Sequence, residues 1–487
     1  MKSIKYNAIV NGILSVANII FPLITFPYIS RVLGVEVNGK LNFASASLTY
    51  FSLFATLGLS TYGVKACARV REDRTKLSKT VHELLLINAF TTTIACIALV
   101  IAIFVVPRYH QEWKLLFIYS WNMILNVVGM NWLYSAIEQY DYITKRSIAF
   151  KFIGVVLMFL FVHSPADCYK YAVITVFANV GGNILNIIYS RNFITYKWYG
   201  DYNCKQHIKP TLAMFATYLA VNVYSSLDSV MLGFMCGDFQ VGIYTAAVKI
   251  RTVLTTLITS VGTVLLPRLS FYIADEKWDE FKRLLKKSYC TIIMMAVPMM
   301  VYFILAAEPS IIFLSGSEYA DAAIPMKILM PIMLITSLSN ITGMQILIPT
   351  GGEWKFAISV TCGAVIDLIL NVIFIPRMGA NGAAIGTLFA ELTQFSVQLF
   401  FTWNYIKGAI SAKETVQVVT ATVLGSVGYS VISLMIHANA FITLFVTAIV
   451  FFGIYALTLL VFRYEMLIEL LNLVCGPILK KLKKADE

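Results

Sequence analysis

Long runs of apolar residues recur along the whole chain, and each run is followed by a short polar or basic stretch. Most runs are close to the ~20 residues that an α-helix needs to cross the hydrocarbon layer of a membrane. The pattern predicts about 14 transmembrane helices, at 8–30, 40–63, 82–106, 114–136, 147–163, 170–190, 210–235, 240–266, 288–306, 324–348, 355–375, 380–405, 415–436 and 440–462.

The composition agrees with an all-α polytopic membrane protein. Of the 487 residues, 59% are hydrophobic and only 13% are charged, whereas a soluble domain carries about twice that charged fraction. Within the first span, Pro22 and Pro27 each remove a backbone donor. We therefore expect this helix to bend or break near its middle.

The net charge of +12 could indicate a nucleic-acid partner, so the positions of the basic residues along the chain have to be considered. Counted by loop, 29 of the 38 Lys and Arg residues fall on one side of the predicted spans, 7 fall on the other, and Lys249 and Arg251 lie inside a span. Because the bases are divided among short loops, no nucleic-acid surface is expected. By the positive-inside rule, the basic side, which includes both termini, faces the cytoplasm.

Neither the cysteines nor the histidines form a recognisable site. The eight Cys and five His are scattered singly, without the spacings of a disulfide framework or a metal site. No nucleotide-binding or nucleophile motif occurs, so no catalytic residue, metal or cofactor is predicted. Transport by such a chain would draw on a proton or sodium gradient, the membrane potential or the substrate's own gradient.

Three ionisable residues near the midpoint of the chain lie inside predicted spans: Asp228, Lys249 and Arg251. Charges in the membrane interior are costly and usually face a bundle interior or a wet cavity, so these residues are candidates for function. At ~1.5 Å per residue, Arg251 lies roughly 15 Å inside the polar break at 236–240, which makes snorkelling to the surface difficult. Two other interpretations remain for these bases. They could line a cavity, or they could form an internal salt bridge with Asp228.

Asp367 and Glu391 each lie well inside a later span. A carboxyl group in that position needs a hydrogen-bonding partner, a proton or a bound cation. Together with Asp228, both are candidates for ion coupling, and a purely structural hydrogen bond is the alternative. The neighbouring Gly382 and Gly386 are one turn apart and favour close packing of two helices.

A short glycine pattern occurs twice, in segments 33–39 and 232–242. Each segment begins with Leu-Gly, ends with a further glycine and lies between two spans on the predicted outer side. About six spans separate the copies, so the copies run parallel. Parallel repeats related by an axis along the membrane normal are typical of transporters, whose substrate site lies between the halves.

Three segments carry a resemblance to a known family. Residues 29–34 read Ile-Ser-Arg-Val-Leu-Gly, are followed by Gly39, and precede Leu-Gly-Leu-Ser-Thr-Tyr-Gly at 57–63. A middle segment combines Asp-Ser-Val-Met-Leu-Gly from Asp228 with Val-Gly-Ile-Tyr-Thr-Ala-Ala-Val-Lys at 241–249, and a late segment joins Ile-Pro to Gly-Ala-Asn-Gly-Ala-Ala-Ile at 379–385. In this order, the segments resemble bacterial polysaccharide flippases of the multidrug/oligosaccharidyl-lipid/polysaccharide exporter superfamily.

The resemblance implies an architecture. It implies two pseudo-symmetric six-helix lobes around a central cavity, with two further helices at the C-terminal end. The expected domains are an N-terminal lobe at 1–207, a C-terminal lobe at 208–407, the last two spans at 408–463 and a basic cytoplasmic tail at 464–487. The bases of that tail are expected to be solvated or to bind lipid headgroups.

The resemblance also implies a function in the bacterial cytoplasmic membrane. The expected substrate is an oligosaccharide on undecaprenyl diphosphate, moved from the cytoplasmic to the outer leaflet by alternating access for O-antigen, capsule or exopolysaccharide synthesis. A diphosphate is a dense anion that guanidinium and ammonium groups bind well. Arg251, Lys249 and Arg31 are the candidate substrate-binding residues, although Arg31 could also anchor a helix end. Membrane lipids, a polysaccharide polymerase and glycosyltransferases are the expected partners.

The sequence leaves two other functions to compare with this one. A multidrug or organic-cation antiporter of the same superfamily would favour acids within the membrane, whereas the first span has none and the midpoint has two bases. A membrane-embedded glycosyltransferase or polymerase would need paired carboxylates or a metal site on a sizeable loop. The longest loops here are short and lack such acids, so the protein is not expected to be an enzyme.

Overall fold

A computed structural model describes residues 4–436 and 438–469 of the chain. Apart from connecting turns, these residues form helices, and no strand occurs among them. The all-α prediction is thus confirmed. Most of the predicted basic tail, from residue 470 onward, lies outside the described residues. The chain forms two compact units, Met1–Gly242 and Ile243–Glu487, and each is described by itself.

Among its described residues, the first unit contains ten α-helices and the beginning of an eleventh, together with a short 3-10 helix at Pro165–Asp167 and a π-helical segment at Phe177–Gly181. The long helix α1 packs against α3, α5, α7 and α10. Their bounds are α1 (Ile4–Thr56), α2 (Leu59–Ala68), α3 (Arg74–Val105), α4 (Pro107–Gln111), α5 (Trp113–Val127), α6 (Asn131–Ala136), α7 (Tyr140–Phe161), α8 (Cys168–Val176), α9 (Asn183–Ser190) and α10 (Lys205–Met235), followed by α11 (Asp238–Ala274).

Among its described residues, the second unit contains the rest of α11 and seven further α-helices, together with a 3-10 helix at Ser317–Ala322 and a π-helix at Asn340–Leu347. Two antiparallel pairs, α15 with α16 and α17 with α18, make the most extensive contacts, and α12 packs between α14 and α17. The bounds are α12 (Trp278–Leu305), α13 (Ala307–Ser315), α14 (Ala323–Ser339), α15 (Glu353–Met378), α16 (Ala380–Ile406), α17 (Ala412–Met435) and α18 (Ala440–Val461).

The helices follow the predicted spans in order. Ten segments of the described chain are long and apolar enough to cross a membrane, and one of them, Gly12–Ala68, covers 57 residues and therefore two predicted spans. The spans predicted at 114–136, 147–163 and 210–235 are helical as α5 with α6, α7 and α10. The prediction of a polytopic membrane protein with about 14 spans is therefore confirmed. The lobe boundary at 207/208 stays a prediction.

The first helix differs from the expectation at its prolines. The backbone of α1 stays helical through Pro22 and Pro27, and its non-helical torsion angles lie at Gly34, with φ 76° and ψ 175°. An L-residue rarely adopts this φ, so glycine permits the kink between the first two spans. A second break separates α1 from α2 at Gly58, where φ is 75°.

Ion pairs cluster at the two ends of the first unit. One end holds Lys40 with Glu112 at 3.1 Å, and the other holds Arg71 with Glu138 at 2.8 Å. Asp73 begins α3 at the same end as Arg71, and its carboxylate accepts the amides of Thr75 and Lys76, which leaves fewer unpaired donors in the first turn. This grouping agrees with the predicted alternation of loops between two sides.

Candidate functional site

The helix α11 presents an exposed polar face in the second unit. Between residues 243 and 260, its exposed residues are Lys249, Thr252, Leu257 and Ser260, and only the leucine is apolar. Lys249, Thr252 and Ser260 lie at i, i+3 and i+11, so they share one face of the helix. The Thr252 hydroxyl donates to the Val248 carbonyl at 2.8 Å, which satisfies part of its hydrogen-bonding capacity.

Other membrane-length helices of this unit expose a different surface. Between residues 358 and 373, the exposed residues of α15 are aliphatic except for Thr361. An aliphatic surface is suited to lipid tails, whereas a lysine with hydroxyl groups is costly there. The Lys249 face is therefore suited to water or a polar ligand.

Arg251 points away from that face. Two residues along a helix correspond to a rotation of ~200°, so Lys249 and Arg251 face opposite sides of α11. Arg251 is half-buried, and by the same rotation it shares a side with Tyr244 and Gly262. Its buried Nε atom has no hydrogen-bond partner among the described residues. The two bases that the sequence grouped together are thus divided between two surfaces.

Polar side chains surround Gly262 on the inner side of α11. A Cβ atom on Gly262 would lie 2.7 Å from the Gln345 amide nitrogen and would overlap the Asn340 amide oxygen. Gln345 also accepts from the buried Ser288 hydroxyl at 3.0 Å. The absence of a side chain at residue 262 therefore allows amide groups from a neighbouring helix to approach α11.

Asp367 is completely buried on α15 and lies close to α16. A Cβ atom on Gly386 would lie 3.5 Å from an Asp367 carboxylate oxygen and would overlap the amide oxygen of Asn371. Beside it, the hydroxyl groups of Tyr244 and Thr387 form a buried hydrogen bond of 2.9 Å. Helices α11, α15 and α16 thus bring a carboxyl, an amide and two hydroxyl groups into one buried cluster.

Glu391 lies one turn beyond Thr387 on α16. It is 8% exposed, and its carboxylate accepts a 3.2 Å hydrogen bond from the Thr336 hydroxyl of α14. This contact fits the structural alternative for Glu391 and leaves its proposed role in ion coupling untested. Among the described residues, no group of three or more His, Cys, Asp or Glu is placed to hold a metal ion.

The remaining two candidates lie in the first unit. Arg31 is exposed on α1, and its guanidinium donates to the Pro27 carbonyl one turn earlier at 2.9 Å, which fits the helix-anchor alternative. Asp228 is 6% exposed on α10. A carboxyl group buried to that degree in a membrane-length helix keeps Asp228 among the candidates for ion coupling.

The two copies of the glycine pattern meet within the first unit. A Cβ atom on Gly39 would lie 2.8 Å from the Gly242 amide nitrogen and would overlap the Asp238 carbonyl oxygen. A Cβ atom on Gly242 would in turn overlap the Val35 carbonyl oxygen. Glycine is required at both positions because the two backbones approach each other directly.

Ion pairs surround this glycine contact. The Arg108 guanidinium pairs with Asp238 at the start of α11 and lies 4.9 Å from the Phe43 ring of α1. Lys40 pairs with Glu112 at 3.1 Å. Burial raises the pKa of Glu112 above its ordinary value, although Lys40 opposes the shift. Charged groups of α1, α4 and α11 thus join these helices at the predicted outer end.

Sequence reasoning missed two bases inside the first unit. The helix α7 begins at Tyr140, seven residues before the predicted span, so Arg146 lies within a helix rather than in a loop, and Lys151, which was counted with the loop bases, lies near the middle of that helix. Lys151 donates to the Asn18 side chain of α1, and Arg146 donates to Asn131 at 3.1 Å. The signal was available, because residues 140–153 contain neither glycine nor proline.

Comparison with known proteins shows first which fold the chain shares and then which family it belongs to. The fold is shared with a structure of the lipid II flippase MurJ in an inward closed conformation, with a TM-score of 0.74 at 15% identity, covering 93% of this chain and 99% of that one. An inward-facing multidrug MATE transporter follows with a TM-score of 0.63 at 14% identity, covering 80% and 95%. At these identities, the two likenesses show that the chain shares its fold with both structures.

The family model described as "Polysaccharide biosynthesis protein" matches residues 4–273, which is more than half of the chain. The protein therefore belongs to this family, and the predicted resemblance is confirmed. A second model, MatE, matches residues 213–374. A putative O-antigen transporter of Escherichia coli (strain K12) is 24% identical over 404 residues, covering 82% of this chain and 97% of the relative.

Proposed function

We propose that this protein is a flippase that moves undecaprenyl-diphosphate-linked oligosaccharide repeat units from the cytoplasmic to the outer leaflet of the bacterial cytoplasmic membrane. The translocated units would supply the synthesis of a cell-surface polysaccharide. The family membership and the relative named as a putative O-antigen transporter, which is matched over 97% of its length, support this proposal. The chain would have both termini in the cytoplasm.

The polar face of α11 is the observation that carries the proposal. A membrane-length helix that exposes Lys249, Thr252 and Ser260 requires water or a polar ligand beside it. The sugars of the substrate offer hydroxyl groups to Thr252 and Ser260, and its diphosphate offers charge to Lys249. The polar head of a lipid-linked sugar needs such a polar helix surface along its path across the membrane.

Substrate binding is assigned to the bases. Lys249 is the primary candidate because it is exposed, and Arg251 adds a second positive charge on the opposite side of α11. Arg31 is a secondary candidate, since its guanidinium also donates to a carbonyl of its own helix. Lys151 adds a base near the middle of α7 in the first unit.

Alternating access is assigned to the contact between the glycine segments. The backbones at Gly39 and Gly242 are in direct contact, and the Arg108–Asp238 pair lies beside them. Separation of these helices would open the outer end, and their contact would close it. Asp228, Asp367 and Glu391 are the residues that would couple this cycle to a proton or sodium gradient. A polymerase and glycosyltransferases would act on the same lipid-linked substrate.

The test is translocation in proteoliposomes by the purified full chain. The substrate is an undecaprenyl-diphosphate-linked oligosaccharide that carries a fluorophore on the sugar, and the readout is its protection from a membrane-impermeant quencher. We expect flipping by the wild type, a loss of at least about tenfold in Lys249→Gln, and unchanged flipping in the control Lys327→Gln, which removes another exposed lysine. Equal rates in both variants would remove Lys249 from the site.

A second candidate function has one specific observation in its favour. The MatE model matches residues 213–374, so an organic-cation antiporter is the alternative. The same proteoliposomes distinguish the two functions. Uptake of a fluorescent organic cation without flipping of the lipid-linked sugar would favour the antiporter.

A further inference from the structure

A chain of three titratable side chains connects three helices of the first unit. The Tyr62 hydroxyl of α2 lies 2.8 Å from Nδ1 of His207, and Nε2 of His207 lies 2.8 Å from a carboxylate oxygen of Glu83 on α3. His207 is 5% exposed and Glu83 is 1% exposed. His207 lies in the first turn of α10, and Tyr62 is partly exposed, so one end of the chain is open to solvent.

Three hydrogen bonds hold the Glu83 carboxylate in place. Its carboxylate accepts the Asn203 amide at 2.7 Å, the Gln206 side-chain amide at 3.0 Å and the His207 ring nitrogen. All three contacts place donors against the carboxylate oxygens, so these oxygens act as acceptors in this arrangement. The imidazole is then the group of the three that has a second nitrogen, Nδ1, at which a proton can be exchanged.

The Tyr62 hydroxyl can serve both forms of His207. When the imidazole is neutral, with its hydrogen on Nε2 facing Glu83, the hydroxyl donates to Nδ1. When a proton binds Nδ1, that nitrogen becomes a donor and the hydroxyl oxygen accepts. Proton uptake therefore requires rotation of one hydroxyl group and no displacement of the backbone.

We propose that Tyr62, His207 and Glu83 form a proton-binding site on the cytoplasmic side, in which His207 takes up a proton from solvent at Nδ1. The inference rests on the proposed function, because it assigns the proton dependence of flipping to this site. It differs from the sequence-based assignment, which placed coupling at Asp228, Asp367 and Glu391. His207 was treated there as one of the isolated histidines.

Proton uptake changes how firmly the start of α10 is anchored. With a neutral imidazole, His207 donates a hydrogen bond to the Glu83 carboxylate, and with a protonated imidazole the same contact is a buried ion pair. The carboxylate accepts the hydrogen bond in both forms, so protonation adds the attraction between two opposite charges. Protonation thus strengthens the attachment of α10 to α2 and α3. The same helix carries Asp228 toward its other end, so the proton acts on a helix of the proposed transport machinery.

The charges around the site are mixed. Arg69 directly follows the end of α2, and its positive charge lies near Tyr62. Lys205 and Lys209 flank His207 on α10 and are exposed. On α3, His82 is adjacent to Glu83 in the sequence, but its Nδ1 atom forms a 3.0 Å hydrogen bond with the Tyr202 hydroxyl. The Cys204 thiol contacts the Glu83 carbonyl at 3.9 Å. Glu83 is thus the negative group in direct contact with the imidazole, and the bases lie further out in solvent.

The first test measures protonation without transport. The purified full chain in nanodiscs, labelled with ¹⁵N-histidine, is titrated from pH 5 to 8.5 by NMR, and His207→Gln identifies the resonance. We expect a single titration of the His207 imidazole that moves to lower pH by about half a unit or more in Tyr62→Phe, because the imidazolium loses its acceptor. A His207 resonance that does not change over this range would overturn the proposal.

The second test measures the pH profile of flipping. In proteoliposomes, we expect the wild-type rate to change about tenfold between internal pH 5.5 and 8 and the His207→Gln rate to change less than about twofold, since the imidazole changes charge in this range. His110→Gln, which replaces an exposed histidine, should keep the wild-type profile. A wild-type profile in His207→Gln would refute the site even if flipping occurs. Absence of flipping in the wild type would refute the proposed function, while the NMR titration would still decide the proton site.

Discussion

Gly39 of α1 and Gly242 of α11 lie backbone to backbone, such that a Cβ atom on Gly39 would be 2.8 Å from the Gly242 amide nitrogen. The two glycines end the two copies of the repeated pattern, so equivalent positions of the repeat contact each other. Such a reciprocal contact is expected when related helices pack about a pseudo-symmetry axis. It assigns these glycines to the closure of the predicted outer end.

The first prediction concerns this closure. Gly39→Ala would place a methyl group against the Asp238 carbonyl. This carbonyl belongs to the backbone, so it cannot rotate away as a side chain can. We expect the helices to separate at the outer end and Cys236, next to α11, to react faster with a membrane-impermeant maleimide, as read by peptide mapping. Gly12→Ala is the control, because nothing lies within 4 Å of that position. Equal labelling of Cys236 in both variants would rule out the assignment.

The second prediction concerns the Arg108–Asp238 pair. The two side chains are 20% and 13% exposed, so Asp238→Asn leaves a partly buried guanidinium without its charged partner. We expect a loss of about 1–3 kcal/mol in the free energy of unfolding. The control is Asp201→Asn, which removes a 98% exposed carboxylate from its pair with Lys79 and should cost less than ~0.5 kcal/mol. Thermal unfolding in detergent measures both, and a similar shift for the two variants would contradict this ranking.

The third prediction concerns Arg251. Arg251→Ala removes the guanidinium from the inner side of α11 and should abolish export while the protein stays inserted. Arg251→Lys keeps a charge but loses the planar donor group, so part of the export should remain. The measurement is surface polysaccharide in cells, normalised to the amount of protein in the membrane. Arg377→Ala, at an exposed arginine, is the control. Normal export by Arg251→Ala would mean that this side chain does not contact the substrate.

The fourth prediction concerns Asp367. Asp367→Asn preserves shape and removes the charge from the buried cluster with Asn371 and Gly386. If Asp367 couples transport to an ion gradient, flipping driven by an imposed proton or sodium gradient should fall about tenfold or more, while passive exchange continues. If its role is structural, both rates should fall together with thermal stability. The two rates, measured in the same proteoliposomes, separate these outcomes.

Most of what could be predicted from the sequence follows from the length and apolar character that a membrane requires of each helix. A hydrocarbon layer requires ~20 apolar residues per helix, so the spans and their order follow from hydropathy alone. The hydropathy pattern starts the fifth span at residue 147 because it assigns Arg146 to a loop, whereas the Asn131 side chain accepts a hydrogen bond from Arg146 inside the unit.

Contacts between distant segments could not be predicted in the same way. Helical geometry alone separates Lys249 from Arg251, but which of them is exposed depends on neighbouring helices that the sequence does not specify. Glu83 and His207 are 124 residues apart, and neither belongs to a spacing pattern. Their pairing follows from the packing of α3 against the start of α10, which becomes visible only in three dimensions.

The account depends on the movement of a lipid-linked sugar across the membrane by this protein, and the state of the carrier lipid in cells tests this most directly. The measurement is mass spectrometry of undecaprenyl-diphosphate-linked sugars after depletion of the protein, with their leaflet assigned by an impermeant sugar-oxidising reagent. We predict that one complete repeat unit accumulates on carrier lipid in the cytoplasmic leaflet and that wild-type protein, but not Lys249→Gln, reverses the accumulation. An unchanged pool, or accumulation in the outer leaflet, would contradict the account.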